Sequence, residues 1–208
     1  MNRLNATTIA QALKSLKESD GKMRDVIKRV GAFKLNASGG GFHVVARSIL
    51  SQQISTSAAR SIRRKLESAL PGRRISAAGI SGLSDEQLQA AGVSAQKRRY
   101  LRDLADRTLS GEVNFRRVAR ATDDEVIEQL TQVTGVGRWT AQMYLMFSLG
   151  RPDVFAPDDL GLQNAVQRML GHSERMTASE LDAYAIRWQP WRTVAAWYLW
   201  RSLELVDA

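Results

Sequence analysis

The apolar residues of this 208-residue chain recur at helical spacing almost from end to end, and nowhere does the alternation of a half-buried strand persist. Side chains three and four apart share one face of a helix, whereas strand neighbours point to opposite faces. That regularity alone confines the chain to an all-α fold. Phe42, Val45, Ala46, Ile49 and Leu50 show it most plainly, as one stripe of a helix expected over Phe42–Gln53. Further helices are expected near Ala6–Lys17, Asp20–Val30, Ser57–Leu70, Ser94–Leu109, Arg138–Leu149, Asp159–Leu170 and Pro190–Leu205, with a glycine-rich connector over Asn36–Gly41. Three helix starts pair a Ser or Thr with a Glu or Gln three residues on: Ser84 with Gln87, Thr122 with Glu125, Thr177 with Glu180. In such pairs each side chain satisfies the other residue's backbone N–H. The expectation is one all-α domain over residues 1–208, built of roughly ten short helices in two lobes with a cleft between them.

Charge narrows the class of partner. Lys and Arg number 30 against 21 Asp and Glu, a net charge of +9, and 44% of residues are hydrophobic, enough for a real core. Such an excess favours polyanions, nucleic acid ahead of anionic membrane, although a generic basic protein carries the same balance. There is no cysteine, which excludes disulfides, thiolate zinc sites, iron–sulfur clusters and a cysteine nucleophile. The two histidines, His43 and His172, are too few for a histidine-based metal site. No segment has the length of a membrane span, and Met1–Ala12 lacks the apolar run of a secretory leader. A protein that works inside the cell, away from membranes, is expected.

The most informative stretch is Leu130–Leu149. A helix ends near Val133, Thr134-Gly135-Val136-Gly137 makes a turn, and Arg138-Trp139-Thr140-Ala141 opens the next helix. Two glycines so spaced permit positive φ and leave the backbone open to close approach. The amides at Gly135, Val136 and Gly137, backed by the helix dipole, form an anion site beside Arg138 and Thr140. Leu130, Val133, Val136, Ala141 and Leu145 are spaced to pack the two helices together. A plain helical hairpin with a glycine turn fits the glycines alone. The apolar framing turns the pattern towards a helix-hairpin-helix over about residues 122–149, which grips a nucleic-acid backbone without reading sequence.

Downstream, Asp153-Val154-Phe155-Ala156-Pro157-Asp158-Asp159-Leu160 leads into a helix. Pro157 and the paired acids suit a helix start, where one carboxylate caps the first turn. An ionised acid there is also suited to stabilising positive charge that develops on a sugar.

Hairpin and acid together resemble the helix-hairpin-helix DNA glycosylase superfamily over about Phe42–Leu205. Four runs are similar to its 3-methyladenine DNA glycosylase II branch: Ile49-Leu50-Ser51-Gln52-Gln53-Ile54-Ser55, Gly137-Arg138-Trp139-Thr140-Ala141, Val154-Phe155 with Pro157-Asp158-Asp159, and Trp188-Gln189-Pro190-Trp191-Arg192. The resemblance implies a base-excision enzyme that flips an alkylated purine from duplex DNA and hydrolyses its glycosidic bond. Asp159 falls on the catalytic acid, leaving Asp158 as the helix cap. Trp139 stands where bifunctional relatives carry a lysine, and an indole forms no Schiff base, so an intact abasic site is the expected product. Thr134 replaces a common proline, and the first forty residues are too short and too helical for the N-terminal β lobe of many relatives.

Trp139 and Trp200 match base-pocket positions of the family. A cationic base gains from an electron-rich indole face as well as from stacking. Trp188, Trp191 and Trp197 read as core. Met143 stands where relatives have a pocket tyrosine, and Phe42 and His43 either line the opposite wall or pack inside. Gln53 falls where the family inserts a side chain into the vacated stack, with a plain helix-surface position as its alternative. Lys97, Arg98, Arg99, Arg102, Arg60, Arg63 and Arg64 are solvated faces of which some, Lys97 first, reach phosphate. No redox cofactor or catalytic metal is implied. A structural Na+ or K+ on the carbonyls of Thr131, Val133 and Val136 is, once DNA is bound. The implied partner is double-stranded DNA with damaged bases, bound by a monomer in the nucleoid of a bacterium or the nucleus of a eukaryote. Three other readings remain at this point: a non-catalytic helix-hairpin-helix DNA-binding module, a glycosylase for oxidised or mispaired bases, and a basic protein scaffold.

Overall fold

The structure is a computed structural model that describes residues 3–35 and 41–205, so the connector expected over Asn36–Gly41 lies outside the described residues except for Gly41. The described residues are helical, with no β-strand among them. In chain order the helices are α1 (Ala6–Ser19), α2 (Gly21–Val30), α3 (Phe42–Ser51), α4 (Thr56–Ala69), α5 (Ala77–Gly82), α6 (Asp85–Ala90) and α7 (Ala95–Leu109). There follow α8 (Phe115–Val118), α9 (Asp123–Thr131), α10 (Arg138–Tyr144), α11 (Leu160–Leu170), α12 (Ala178–Ala185) and α13 (Arg192–Glu204). They form two compact units, the first from residues 1–38 and 145–208, the second from 39–144. The all-α, two-lobed expectation holds.

In the first unit α13 packs against α2 and α11, and Leu16, Met23, Trp188, Tyr198 and Leu199 are wholly buried among these helices. A polar knot ties its two ends. Asp20, 6% exposed, caps α2 through Oδ1, which accepts from the Lys22 and Met23 amides at 2.9 and 3.1 Å. Its Oδ2 accepts from the Tyr184 hydroxyl at 3.1 Å and the Trp188 indole N–H at 3.0 Å. A carboxylate can be buried at such cost only because both oxygens are fully used.

In the second unit α7 is the spine, with Leu101, Leu104 and Ala105 buried and α3 and α5 laid against it. Three of its basic side chains donate to carbonyl oxygens, Arg98 to that of Val93 at 3.0 Å. Lys97 Nζ donates to the Leu50 carbonyl at 2.7 Å, and the Arg102 guanidinium donates to the carbonyls of Ile80 at 2.6 Å, Ser81 at 3.1 Å and Leu83. Arg98 pairs with Asp85 at 3.0 Å. Helix C-termini leave carbonyls without partners, and cations satisfy them well. Lys97, expected to reach phosphate, has its ammonium on the Leu50 carbonyl at the end of α3, where burial lowers its pKa.

All three capping pairs form. A fourth, Asn5 with Thr8, uses Thr in place of the Glu or Gln that marks the motif. Two helix ends differ from expectation. α3 stops at Ser51, and Gln53 takes φ 54° in a turn rather than continuing the helix. Beyond α10 the backbone widens into a π turn over Leu145–Leu149, closed by Arg151 N–H on the Leu145 carbonyl and by Gly150 at φ 64°.

The Asp20 knot generates a stability prediction. Asp20→Ala removes a cap and leaves a buried indole N–H and a part-buried hydroxyl unpaired, so it should cost about 2–4 kcal/mol in urea unfolding. Ser84→Ala, the loss of an exposed cap, should cost about 1 kcal/mol. Equal losses would show that the buried knot adds nothing beyond capping.

Candidate functional site

The acid of the first unit is fixed by the segment before α11. Arg192, at the start of α13, forms a fork on Asp153, Nε to Oδ1 at 2.8 Å and Nη2 to Oδ2 at 3.1 Å. Thr193 Oγ1 donates to the Arg151 carbonyl at 2.7 Å and accepts from Val154 N–H at 3.0 Å, while its own amide donates to the Pro152 carbonyl. Val154, Phe155 and Ala156 then bury their side chains, and Asp159 N–H closes a turn onto the Ala156 carbonyl. The chain arrives at α11 with Asp159 half-buried and Asp158 exposed.

Asp159, not Asp158, is the helix cap. Its Oδ1 accepts from Leu162 N–H at 2.8 Å and from the Trp200 indole N–H at 2.9 Å. The expected division of labour between the two acids is thus corrected. Asp159 thus takes the capping position as well as the position expected of the reactive acid, and its carboxylate meets α13. Trp200 comes two helical turns after Thr193, so a single helix holds the acidic segment at its start and the acid itself further along. Gly161 makes room for the pair: a Cβ there would lie 2.9 Å from Asp159 Oδ1 and 3.2 Å from Trp200 Nε1. Phe147 stands 5.7 Å from the Trp200 ring. Neither Gly161 nor Phe147 was singled out from the sequence. A glycine in the first turn of a helix, where it costs stability, was the available signal.

In the second unit α9 and α10 form the expected hairpin, with Leu130, Val133, Val136 and Ala141 buried, as is Leu145 beyond it. Its turn is locked from below. Asp103 Oδ2 accepts from Thr134 N–H at 2.7 Å, and Arg107 Nε bridges both Asp103 oxygens at 3.1 and 3.2 Å. Burial alone would raise the Asp103 pKa, but the Thr134 hydrogen bonds and the Arg107 charge outweigh it and the pKa is lowered. The lock is therefore complete above the ordinary Asp range and lost only as pH falls through the lowered value.

The two glycines of the turn do different things. Gly135 has φ 79°, and a Cβ there would come within 2.1 Å of the Tyr100 ring. Gly137 is not in the positive-φ region, and a Cβ on it would meet nothing within 4 Å. Nothing in the unit's own packing requires the absence of a side chain there. The first intrahelical bond of α10 runs from Ala141 N–H to the Gly137 carbonyl, so the amides of Gly137 and Arg138 precede it. The Val136 amide, by contrast, is used within the turn, on the Val133 carbonyl at 3.0 Å. The Val136 amide, expected to take part in an anion site, is therefore already used.

The turn after α3 lies against this hairpin. Gln52 Nε2 donates to the Gly135 carbonyl at 2.9 Å, and the neighbouring Gln53 is exposed in the left-handed region. Its helix-surface alternative is excluded, because it is not on a helix. Trp139 is 38% exposed and Arg138 is exposed, whereas Thr140 (3%), Met143 (9%) and Phe42 (8%) are buried. Thr140 thus offers no surface contact through its side chain. His43 lines a cavity with Arg47, Glu67, Arg73, Arg74 and Ile75, a basic wall rather than an aromatic one. Trp188 and Trp197 are core as expected, and Trp191 is half-buried. Among the described residues no three His, Cys, Asp or Glu side chains converge, and no helix is long and apolar enough to cross a membrane.

Comparison with known proteins agrees with this geometry. A family model described as HhH-GPD superfamily base excision DNA repair protein matches residues 46–192. DNA-3-methyladenine glycosylase 1 of Schizosaccharomyces pombe is 32% identical over 97% of this chain and 90% of its own length. The solved structure of the 3-methyladenine DNA glycosylase Mag1 from that yeast, in complex with abasic DNA, has a TM-score of 0.88 at 31% identity, covering 95% of this chain and 98% of that one. A DNA-3-methyladenine glycosidase from Bacillus halodurans has a TM-score of 0.79 at 34% identity, covering 95% and 96%.

The unequal glycines can be separated by unfolding. Gly135→Ala meets both positive φ and the Tyr100 ring and should destabilise the protein by about 2–4 kcal/mol. Gly137→Ala should cost under about 1 kcal/mol, since only helix-cap preference changes. Comparable losses at the two positions would contradict the assignment.

Proposed function

The chain belongs to the HhH-GPD superfamily of base excision DNA repair proteins, and we propose that it is a monofunctional DNA glycosylase acting on alkylated purines of the 3-methyladenine and 7-methylguanine type. The observation that carries this reading is the carboxylate of Asp159, held at the start of α11 by Leu162 N–H and by the Trp200 indole. Two donors on one oxygen fix the carboxyl group before substrate arrives, the condition under which electrostatic stabilisation contributes most.

An N-alkylated purine is cationic and leaves readily. The C1′–N bond breaks with its electron pair passing to the base, and the sugar acquires oxocarbenium character. Asp159 stabilises that charge and orients a water whose oxygen bonds to C1′, its proton passing to the carboxylate and then to solvent. The base leaves neutral, and the strand is left with an intact abasic site. Trp139 supplies no amine at the position where a Schiff base would otherwise form.

Duplex DNA is bound through the hairpin, whose Gly137 and Arg138 amides meet a phosphate that the bare Cα of Gly137 lets approach. A monovalent cation fits the carbonyls of Thr131, Val133 and Val136. Thr131 ends α9 with its carbonyl outside the helical ladder, and the Val133 carbonyl keeps a second lone pair beyond the one that accepts from Val136. That ion would screen the phosphate and takes no part in the chemistry. Gln53, exposed at φ 54°, fills the stack vacated by the flipped base. Trp139 offers the base an indole face, and Trp200 serves chiefly as the donor that sets Asp159. The protein acts as a monomer on damaged DNA, in the nucleoid or the nucleus according to the cell.

Asp159→Asn is the decisive variant. Asparagine keeps an oxygen for Leu162 and Trp200 and is itself a good cap, so the fold should survive. Release of 3-methyladenine or 7-methylguanine from duplex DNA should fall by at least about 100-fold, while binding to that DNA stays within about threefold. Undiminished release would end the assignment; binding without any release by the parent protein would leave a non-catalytic DNA-binding module. Borohydride added during turnover should trap no protein–DNA adduct, and a covalent adduct would disprove the monofunctional reading.

A further inference from the structure

A cavity of about 260 Å3 lies within the second unit, lined by His43 and Arg47 of α3, Glu67 of α4, and Arg73, Arg74 and Ile75 beyond α4. Neither the hairpin nor the acid needs it. Its wall carries three guanidiniums and one carboxylate. That carboxylate is already shared: Glu67 Oε1 lies 3.2 Å from Arg47 and 3.7 Å from Arg63. The Arg63 Nε is buried, and no acceptor comes within hydrogen-bond reach of it. Arg73 and Arg74 have no carboxylate partner among the described residues. Arg73 is also held at φ 53°, a conformation that residues with a Cβ rarely adopt, directly after Gly72 at φ 62°. Evenly spread surface arginines would repel one another less; here they converge on one hollow.

We propose that this cavity is a second anion site, built to hold a single phosphate group on the guanidiniums of Arg47, Arg73 and Arg74 with the His43 ring as a further donor. Guanidinium forks match the oxygens of a phosphate in pairs, and three of them exceed what one carboxylate can neutralise. The volume falls below the usual range of pockets for drug-sized ligands, so a phosphate with its waters fits and a whole nucleotide does not. The phosphate comes from one of two sources, a strand of DNA or free orthophosphate, and the chemistry of recognition is the same. The inference does not rest on the glycosylase reading.

His43 reports on occupancy. Burial lowers its pKa first, and the charges of Arg47 and Arg74 lower it further; of the groups that face it only Glu67 opposes them. A phosphate in the cavity brings negative charge beside the imidazole, favours the protonated ring and so raises the pKa. The chain has one other histidine, His172, which is exposed and serves as an internal control. Ring resonances of the full-length protein can be followed through a pH titration in chloride, in orthophosphate at matched ionic strength, and with an undamaged DNA duplex. The expected result is an upward shift of the His43 midpoint by at least about half a pH unit with one of the two phosphate sources, His172 unmoved, and loss of the shift in Arg74→Gln. A shift with orthophosphate identifies a free-anion site; a shift with duplex alone identifies a strand contact. No movement of His43 with either source, equal movement of both histidines, or a shift that survives in Arg74→Gln would overturn the proposal.

Discussion

One oxygen atom joins two helices of the first unit. Asp159 Oδ1 takes the Leu162 amide and the Trp200 indole N–H together, and each of those donors belongs to a helix whose position is fixed independently. α11 is set by the buried Leu162, Ala165 and Val166; α13 is set by core packing through Val194 to Leu199. The acid is therefore not free to choose a rotamer. Its orientation is a consequence of two helices meeting at a carboxylate, with Gly161 left bare so that they can. A carboxylate that caps a helix ties its own position to the fold, since whatever moves the helix start moves the acid as well.

The second unit applies the same economy to the backbone. Asp103 holds the Thr134 amide, the Tyr100 ring fills the space that any side chain at Gly135 would need, and Gln52 takes the Gly135 carbonyl. Three side chains thus fix one turn, and the one glycine they do not constrain, Gly137, is the one beside the first amides of α10. Gln52 has a further consequence. It ties the turn that presents Gln53 to the turn that presents those amides, so the two turns are held in fixed register with one another.

How much of this could be read from the residues differs by kind of interaction. Helices, capping pairs, the hairpin and its apolar framing are local, governed by spacing within one segment, and were legible. The identity of the capping acid was not. Asp158 and Asp159 are equivalent by local rules, and the choice between them is made by Trp200, 41 residues away, which no spacing rule connects. The Asp103 lock, 31 residues from Thr134, was hidden for the same reason. Gln53 was read on the last turn of α3, because nothing local announces that α3 stops at Ser51. The Leu50 carbonyl at that end is taken by Lys97, again a distant partner. Thr140 and Met143 fell inside although motif position put them at the site, since a family position fixes a place on a helix but not the depth of its packing.

The same distinction governs the charge. A net +9 says that the surface as a whole favours a polyanion, but not which cations do the work. Lys97, Arg102, Arg98 and Arg107 are all consumed by carbonyls or carboxylates of their own unit, where they hold helix ends and the hairpin turn. They belong to the architecture while remaining partly exposed. Arg138 beside the hairpin amides, and Arg73 and Arg74 at the His43 cavity, are not drawn off in this way. A count of basic residues overstates the binding surface for a physical reason: in an all-α chain every helix end presents carbonyls, and the nearest long cation is drawn to them before it is available to anything else.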